Sequence, residues 1–382
     1  MGHHADPPAV HPAVHPAVHL AGGPELAAAL PHLLGFPPVE SLVLLALTGS
    51  DERRVGMTLR VDLPGPDDAP LLATEVVSRL APSRPAAVAA FVVTEAPDVP
   101  VADLAALVEH RLDDLGPVEL RLLRAGADLP GRDVLHAVTR VLAGAGVPLL
   151  GAWLVRAQRC WDYDCPDPCC DPAAGCPLPG GTSELAAAAV LTGRVLVTDR
   201  SELVGRLAAP ADLPPGMVGA CAEVGAHQAE TLRREGWDEL LARSWHCVQD
   251  AVARHRPGSR AALTDVEAAR VAWAVTATEV RDRALGLGAG ADAPAAEALW
   301  TGLLRRLPPP LDATPAVLLA ATAYARGDGV TAALALDRAQ ASRPSCTLAQ
   351  LLRQSLSSGL PPAVVADLLT RAAAAGSEQL GA

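Results

Sequence analysis

The sequence predicts an α/β half with a mixed sheet and flanking helices, followed by an all-α half with a tetratricopeptide-like helical hairpin. Three observations carry that expectation. Apolar runs of strand length alternate with amphipathic stretches as far as residue 156, whereas beyond 262 only helical spacing is left. The longest clean apolar runs, SLVLLAL (41–47) and AAVAAFVV (86–93), stop at seven and eight residues, far below the ~20 that a membrane helix needs. At 382 residues the chain also exceeds the length at which one core keeps growing. The expected division is a disordered His- and Pro-rich tail over 1–24, an α/β domain over 25–210 and a helical domain over 211–382.

In the tail, AVHPAVHPAVHL (9–20) repeats every four residues and its prolines block a helix. Five of the eleven histidines lie there: His3, His4, His11, His15 and His19. Loose capture of a transition metal and a plain extension are both open readings. PELAAALPHLLG then reads as a helix ended near Gly35. SLVLLALT (41–48) and RRVGMTLRVDLP (53–64) read as two strands of a hairpin around the polar turn GSDE. DDAPLLATEVVSRLA (67–81) has Leu71, Leu72, Val76 and Leu80 near helical spacing. AAVAAFVVTE (86–95) has no polar face, as a central strand covered on both sides would have. VADLAALVEHRLDDLG (101–116) reads as a helix stopped by Gly116-Pro117, and VELRLLRAG (118–126) alternates like a strand. A helix over 131–146 and a strand over 147–156 complete the α/β pattern.

A cysteine-rich insert (158–181) follows, then helical segments to about 256 with a break at Pro210, Pro214 and Pro215. TDVEAARVAWAVTATEVRDRAL (264–285) reads as one helix opened by a capping box of Thr264 and Glu267. The glycine string of GLGAGADAP follows a helix and not a strand, so it reads as a linker and no dinucleotide fingerprint. In LLAATAYARGDGVTAALALDRAQASRP (318–344) two amphipathic helices meet at Gly327-Asp328-Gly329. Leu319, Ala320, Gly327, Ala332, Leu336, Ala339 and Pro344 fall at tetratricopeptide intervals. Such stacked hairpins usually offer a concave surface to a protein; an ordinary helical bundle obeys the same packing rules.

Composition excludes several functions. A net charge of -12 and 3% aromatic residues speak against nucleic acid, whose binding needs cations for phosphates and rings for bases. The sequence has no lysine, which rules out a phosphate-loop lysine, a pyridoxal Schiff base and a kinase-type lysine. MGHHADPP has neither a basic region nor an apolar stretch, so no secretory signal is read and a cytoplasmic location is expected.

CWDYDCPDPCCDPAAGC (160–176) holds five of the eight cysteines: Cys160, Cys165, Cys169, Cys170 and Cys176. Zinc takes four soft ligands in a tetrahedron, which closely spaced cysteines in a turn can supply. The spacing departs from paired Cys-x2-Cys knuckles. Adjacent Cys169 and Cys170 are expected to reach one metal together only rarely. Asp162, Asp164, Asp167 and Asp171 are expected to raise nearby thiol pKa values. A zinc site, a redox-active loop and simple packing all stay open.

No Gly-x-Ser-x-Gly or His-Glu-x-x-His is present. The best polar group is Arg60 and Asp62, an i, i+2 pair on one strand face, with Ser41 at the start of the partner strand. These three residues would either line a cleft at a sheet end or close the sheet edge by an ion pair.

LPHLLGFPPVESLVLLAL followed by RVGMTLRVDLP resembles the opening of an actinobacterial family of uncharacterised proteins, domain of unknown function 4192. The resemblance falls on Pro31, Gly35, Phe36, Pro38, Ser41, Leu42, Val43, Arg60, Asp62 and Leu63. It continues where CWDYDCPDPCCDPAAGCPLP is similar to the family's Tyr-x-Cys, Cys-Cys-Pro and Gly, with Asp171 in place of Pro and Cys160 and Cys176 as extras. YARGDGVTAALALDRA is like the family's Gly-Asp-Gly segment. The resemblance covers about 25–370 and implies an α/β domain and a helical part, without an activity.

Two functional readings are therefore open. One is a non-enzymatic or regulatory protein whose α/β part binds a ligand and whose C-terminal helices bind a protein. The other is a metal-assisted, hydrolase-like enzyme at the sheet end, with the cysteine loop beside Arg60 and Asp62.

Overall fold

A computed structural model describes residues 22–49, 54–100, 116–180, 196–197, 199–208, 212–213, 215–256, 258–259 and 262–379. The tail over 1–21, the turn over 50–53 and the helix expected over 101–115 lie outside the described residues, as do the segments over 181–195 and 209–211.

Strands β1 (Ser41–Thr48), β2 (Arg54–Asp62), β3 (Ala87–Val93), β6 (Leu149–Arg156), β7 (Arg159–Asp162) and β8 (Cys176–Pro177) form one sheet in the order β2-β1-β3-β6-β7-β8. β4 (Val99–Pro100) and β5 (Ala127–Asp128) form a separate short ladder. The sheet is mixed: β3 and β6 are parallel and every other neighbouring pair is antiparallel. The expected hairpin is present, with Ser41 opposite Asp62 and Val43 opposite Arg60.

Alternation of side chains across the sheet gives two cores. Leu42, Leu44, Val88, Ala90 and Leu154 pack under α2 (Ala69–Leu80) and α4 (Arg132–Gly144). Val43, Leu45, Ala89 and Phe91 face α1 (Gly23–Leu34) on the other side. The sheet is thus buried on both faces, which explains the lack of a polar face in β1 and β3.

One expected strand is a helix. Residues 118–126 belong to α3 (Pro117–Ala125). Pro117 stands in the first turn, where its missing N–H costs nothing, and Gly126 closes the helix in the left-handed conformation, its N–H donating to Leu122 at 2.9 Å. These end signals outweigh the short alternation of Val118, Leu120 and Leu122.

The helical half contains α5 (Arg200–Leu207), α6 (Met217–Glu235), α7 (Trp237–Arg254), α8 (Asp265–Ala274), α9 (Thr278–Leu285), α10 (Ala293–Leu304), α11 (Ala313–Ala325), α12 (Gly329–Ser342), α13 (Thr347–Ser357) and α14 (Pro362–Gln379). The capping box of Thr264 and Glu267 opens α8. The single helix expected over 264–285 breaks at 275–277, where the Thr276 hydroxyl donates to Trp273 O at 2.6 Å. The glycine string is a packed turn and not a loose linker: Gly288 is buried against Thr322, with no room for a Cβ. α11 and α12 pack against each other as a helical hairpin. Gly327 turns at φ 80° and Asp328 caps α12 by accepting from Thr331 N at 3.0 Å. Ala320, Ala332 and Leu336 are buried in this core. No helix of the described residues is long and apolar enough to cross a membrane.

Candidate metal centre

The cysteine insert runs from β7 through a short 3-10 turn (Pro168–Cys170) to β8. β7 aligns Cys160 with Cys176 on β8, and the Cys160 side chain packs into the core beneath α1. Burial raises its thiol pKa to about 12, with Cys176 and Asp162 adding to the effect. Neither belongs to the group of three sulfurs that converge, although Cys176 lies near enough to Cys169 to raise its thiol pKa.

Cys165, Cys169 and Cys170 bring their sulfurs within 4.8 Å of one another. Cys165 Sγ lies 3.8 Å from Cys169 Sγ, which lies 3.9 Å from Cys170 Sγ. Adjacent Cys169 and Cys170 therefore do converge, against the expectation from sequence. In an extended chain neighbouring side chains point to opposite sides, whereas a 3-10 turn sets them only ~120° apart. With zinc–sulfur bonds near 2.3 Å, the edge of a sulfur tetrahedron is about 3.8 Å. Both separations match that edge. The Asp162 N–H donates to Cys170 Sγ at 3.3 Å.

A basic frame holds this loop. Arg121 of α3 is wholly buried and donates to the carbonyl of Cys170 and, at 3.4 Å, to that of Tyr163. Arg132 of α4 also reaches the Tyr163 carbonyl at 3.4 Å while paired with Asp128. Arg124 approaches the Pro166 carbonyl at 3.5 Å. The Tyr163 hydroxyl donates to Pro130 O and the Trp161 indole to Asp171 O at 3.0 Å. Gly175, at φ 73°, lies against the Trp161 ring and donates its N–H to Cys169 O at 2.9 Å. Sequence reasoning missed Arg121, because residues 118–126 were read as a strand.

The thiols of Cys169 and Cys170 are raised, but the aspartates are not the main cause. Burial pushes the Cys170 thiol up; the Asp162 N–H opposes it, and Cys165 and Cys169 add to the rise. Desolvation and the hydrogen bond with Cys165 raise Cys169, while its bond with Cys170 pulls the other way. Burial thus favours the protonated form of Cys169 and Cys170.

Ser41, Arg60 and Asp62 do meet. Arg60 Nε donates to Ser41 Oγ at 2.8 Å, its second nitrogen lies 2.6 Å from Asp62, and Ser41 donates to Val39 O at 2.5 Å. The contacts tie the entry of β1 to the end of β2, with the Ser41 hydroxyl both giving and receiving a bond. They sit on the β1–β2 edge, whereas the cysteine loop leaves from β7, four strand spacings away. At ~4.8 Å per spacing this is roughly 19 Å. One site built from both groups does not form.

The family described as Domain of unknown function (DUF4192) matches residues 24–363. The chain belongs to that family. Neither the curated proteins nor the solved structures contain a match to it. In this DUF4192 chain, the cysteines that carry the resemblance, Cys165, Cys169 and Cys170, are the three whose sulfurs converge.

Proposed function

We propose that this DUF4192 chain is a zinc-binding regulatory protein of a reducing, cytoplasmic compartment, with Cys165, Cys169 and Cys170 as the metal ligands. The observation that carries the reading is the pair of sulfur separations, 3.8 and 3.9 Å, on the edge of a zinc–thiolate tetrahedron. Arg121 supports it. This buried guanidinium has no carboxylate within ion-pair distance among the described residues. A zinc ion with three thiolates and a neutral fourth ligand carries one negative charge, which gives a buried cation its counterpart. Metal binding replaces the three thiol protons, so affinity rises with pH.

The helical half would receive a protein partner. Leu351 on α13 and Val364 and Leu368, one turn apart on α14, are large apolar side chains left exposed. The separation of Arg60 and Asp62 from the cysteines favours this regulatory reading over a metal-assisted hydrolase. Cobalt substitution tests the metal assignment. Tetrahedral cobalt with intense thiolate charge-transfer absorption, lost in Cys165→Ser and Cys170→Ser, is expected; cobalt spectra unchanged by both substitutions would refute it.

A further inference from the structure

The helical half holds a second site unrelated to the cysteine loop. A groove of about 550 Å³ lies between α6, α7 and α8, within the usual volume of small-molecule sites. One stripe of α6 lines it, with Val224, His227, Gln228 and Thr231 at helical spacing. Ser244, Cys247 and Ala251 of α7 and Glu267, Arg270 and Val271 of α8 supply the other walls.

Two features set this groove apart from ordinary packing space. Thr231 and Ser244 line the groove with only 6% of each residue exposed, and their hydroxyl oxygens are not among the buried polar atoms left without a partner, so both are open to the groove. Buried hydroxyls on helices normally return a bond to the preceding turn or meet another polar group. Two hydroxyls open to the same groove can instead bond to something that enters it. The second feature is charge. Arg243 is held by Glu235 and Glu239, and Arg254 by Glu267. Arg270 lines the same groove and has no such partner among the described residues. Asp250 and Glu267 also line the groove, but Glu267 is held by Arg254, which leaves the guanidinium of Arg270, two hydroxyls and an apolar floor of Val224, Leu263 and Val271 facing the same space.

We infer that this groove binds a small amphipathic organic anion, whose acid group meets Arg270, whose polar atoms meet Thr231 and Ser244, and whose apolar body covers the floor. Arginine is suited to an acid group because its planar fork offers paired donors. An apolar body would displace poorly held water from the floor, and the two hydroxyls would exchange water for bonds to the ligand.

The probe is 8-anilinonaphthalene-1-sulfonate, an acid group on an apolar aromatic body, titrated into the full chain and followed by fluorescence. One saturable site per chain is expected. Arg270→Gln, an exposed change that leaves the core intact, should weaken it about tenfold. Thr231→Val with Ser244→Ala, which keep the floor filled, should weaken it several-fold. Arg371→Gln, on α14, should leave it unchanged. Binding that does not saturate, or that is indifferent to Arg270→Gln and to the hydroxyl pair, would overturn the assignment.

Discussion

The guanidinium of Arg121 donates to the main-chain carbonyl of Cys170, so a buried charge on α3 holds the turn that gathers three sulfurs. The same side chain reaches the carbonyl of Tyr163, at the start of the loop. Replacing Arg121 by Met should cost about 1–3 kcal/mol, since it leaves the Cys170 carbonyl unanswered and the Tyr163 carbonyl to Arg132 alone. Arg121→Lys should recover little, because a single ammonium cannot span both carbonyls. Thermal unfolding of the two variants checks this; a Lys variant as stable as the parent would mean that charge alone is needed.

In the helical half, Asp312 and Arg338 form an ion pair at 2.6 Å that is almost completely buried, and Ser342 donates to the same carboxylate. Removing one partner strands the other charge. Asp312→Asn should therefore destabilise by about 3 kcal/mol, whereas Asp312→Leu combined with Arg338→Met should regain most of that loss. Urea denaturation of the single and double variants decides the point. Equal losses in both would show that the pair is worth its full Coulomb energy.

Glu267 gives a pH dependence. Its hydrogen bonds from Arg254 and from the N–H and hydroxyl of Thr264 lower its carboxyl pKa from 4.5 to about 2. A carboxylate with a depressed folded-state pKa stabilises above its unfolded value and loses that contribution as pH falls through the folded one. The contribution is thus complete above about pH 4.5 and gone below about pH 2. Chemical-shift titration should place the Glu267 midpoint near 2, and Glu267→Gln should flatten the stability loss across that window. A midpoint above 4 would contradict the capping geometry.

Much of this architecture is legible in the residues, and the exceptions have definite causes. The unbroken apolar runs of β1 and β3 announce strands covered on both faces, and Thr264 with Glu267 announces the start of α8. α3 was hidden because Val118, Leu120 and Leu122 alternate, while the deciding signals, Pro117 and Gly126, lie at its ends. The break between α8 and α9 is made by one local hydrogen bond from Thr276, which periodicity does not register. At the cysteines, spacing rules assume a relaxed chain; the 3-10 turn over Pro168–Cys170 changes which sulfurs can meet. Arg121 carried no signal of its own. Its importance depends on the distant loop that it holds, and local pattern contains no trace of that contact.

On the proposed reading, Cys165, Cys169 and Cys170 bind zinc while Cys160 and Cys176 do not. The most direct test is the zinc content of the full chain, purified untagged under reducing conditions with the five tail histidines changed to Ala. About one zinc per chain is expected, lost in Cys165→Ser and Cys170→Ser and kept in Cys160→Ser with Cys176→Ser. A metal-free chain, or zinc that survives Cys165→Ser and Cys170→Ser, would rule out these thiols as the zinc ligands.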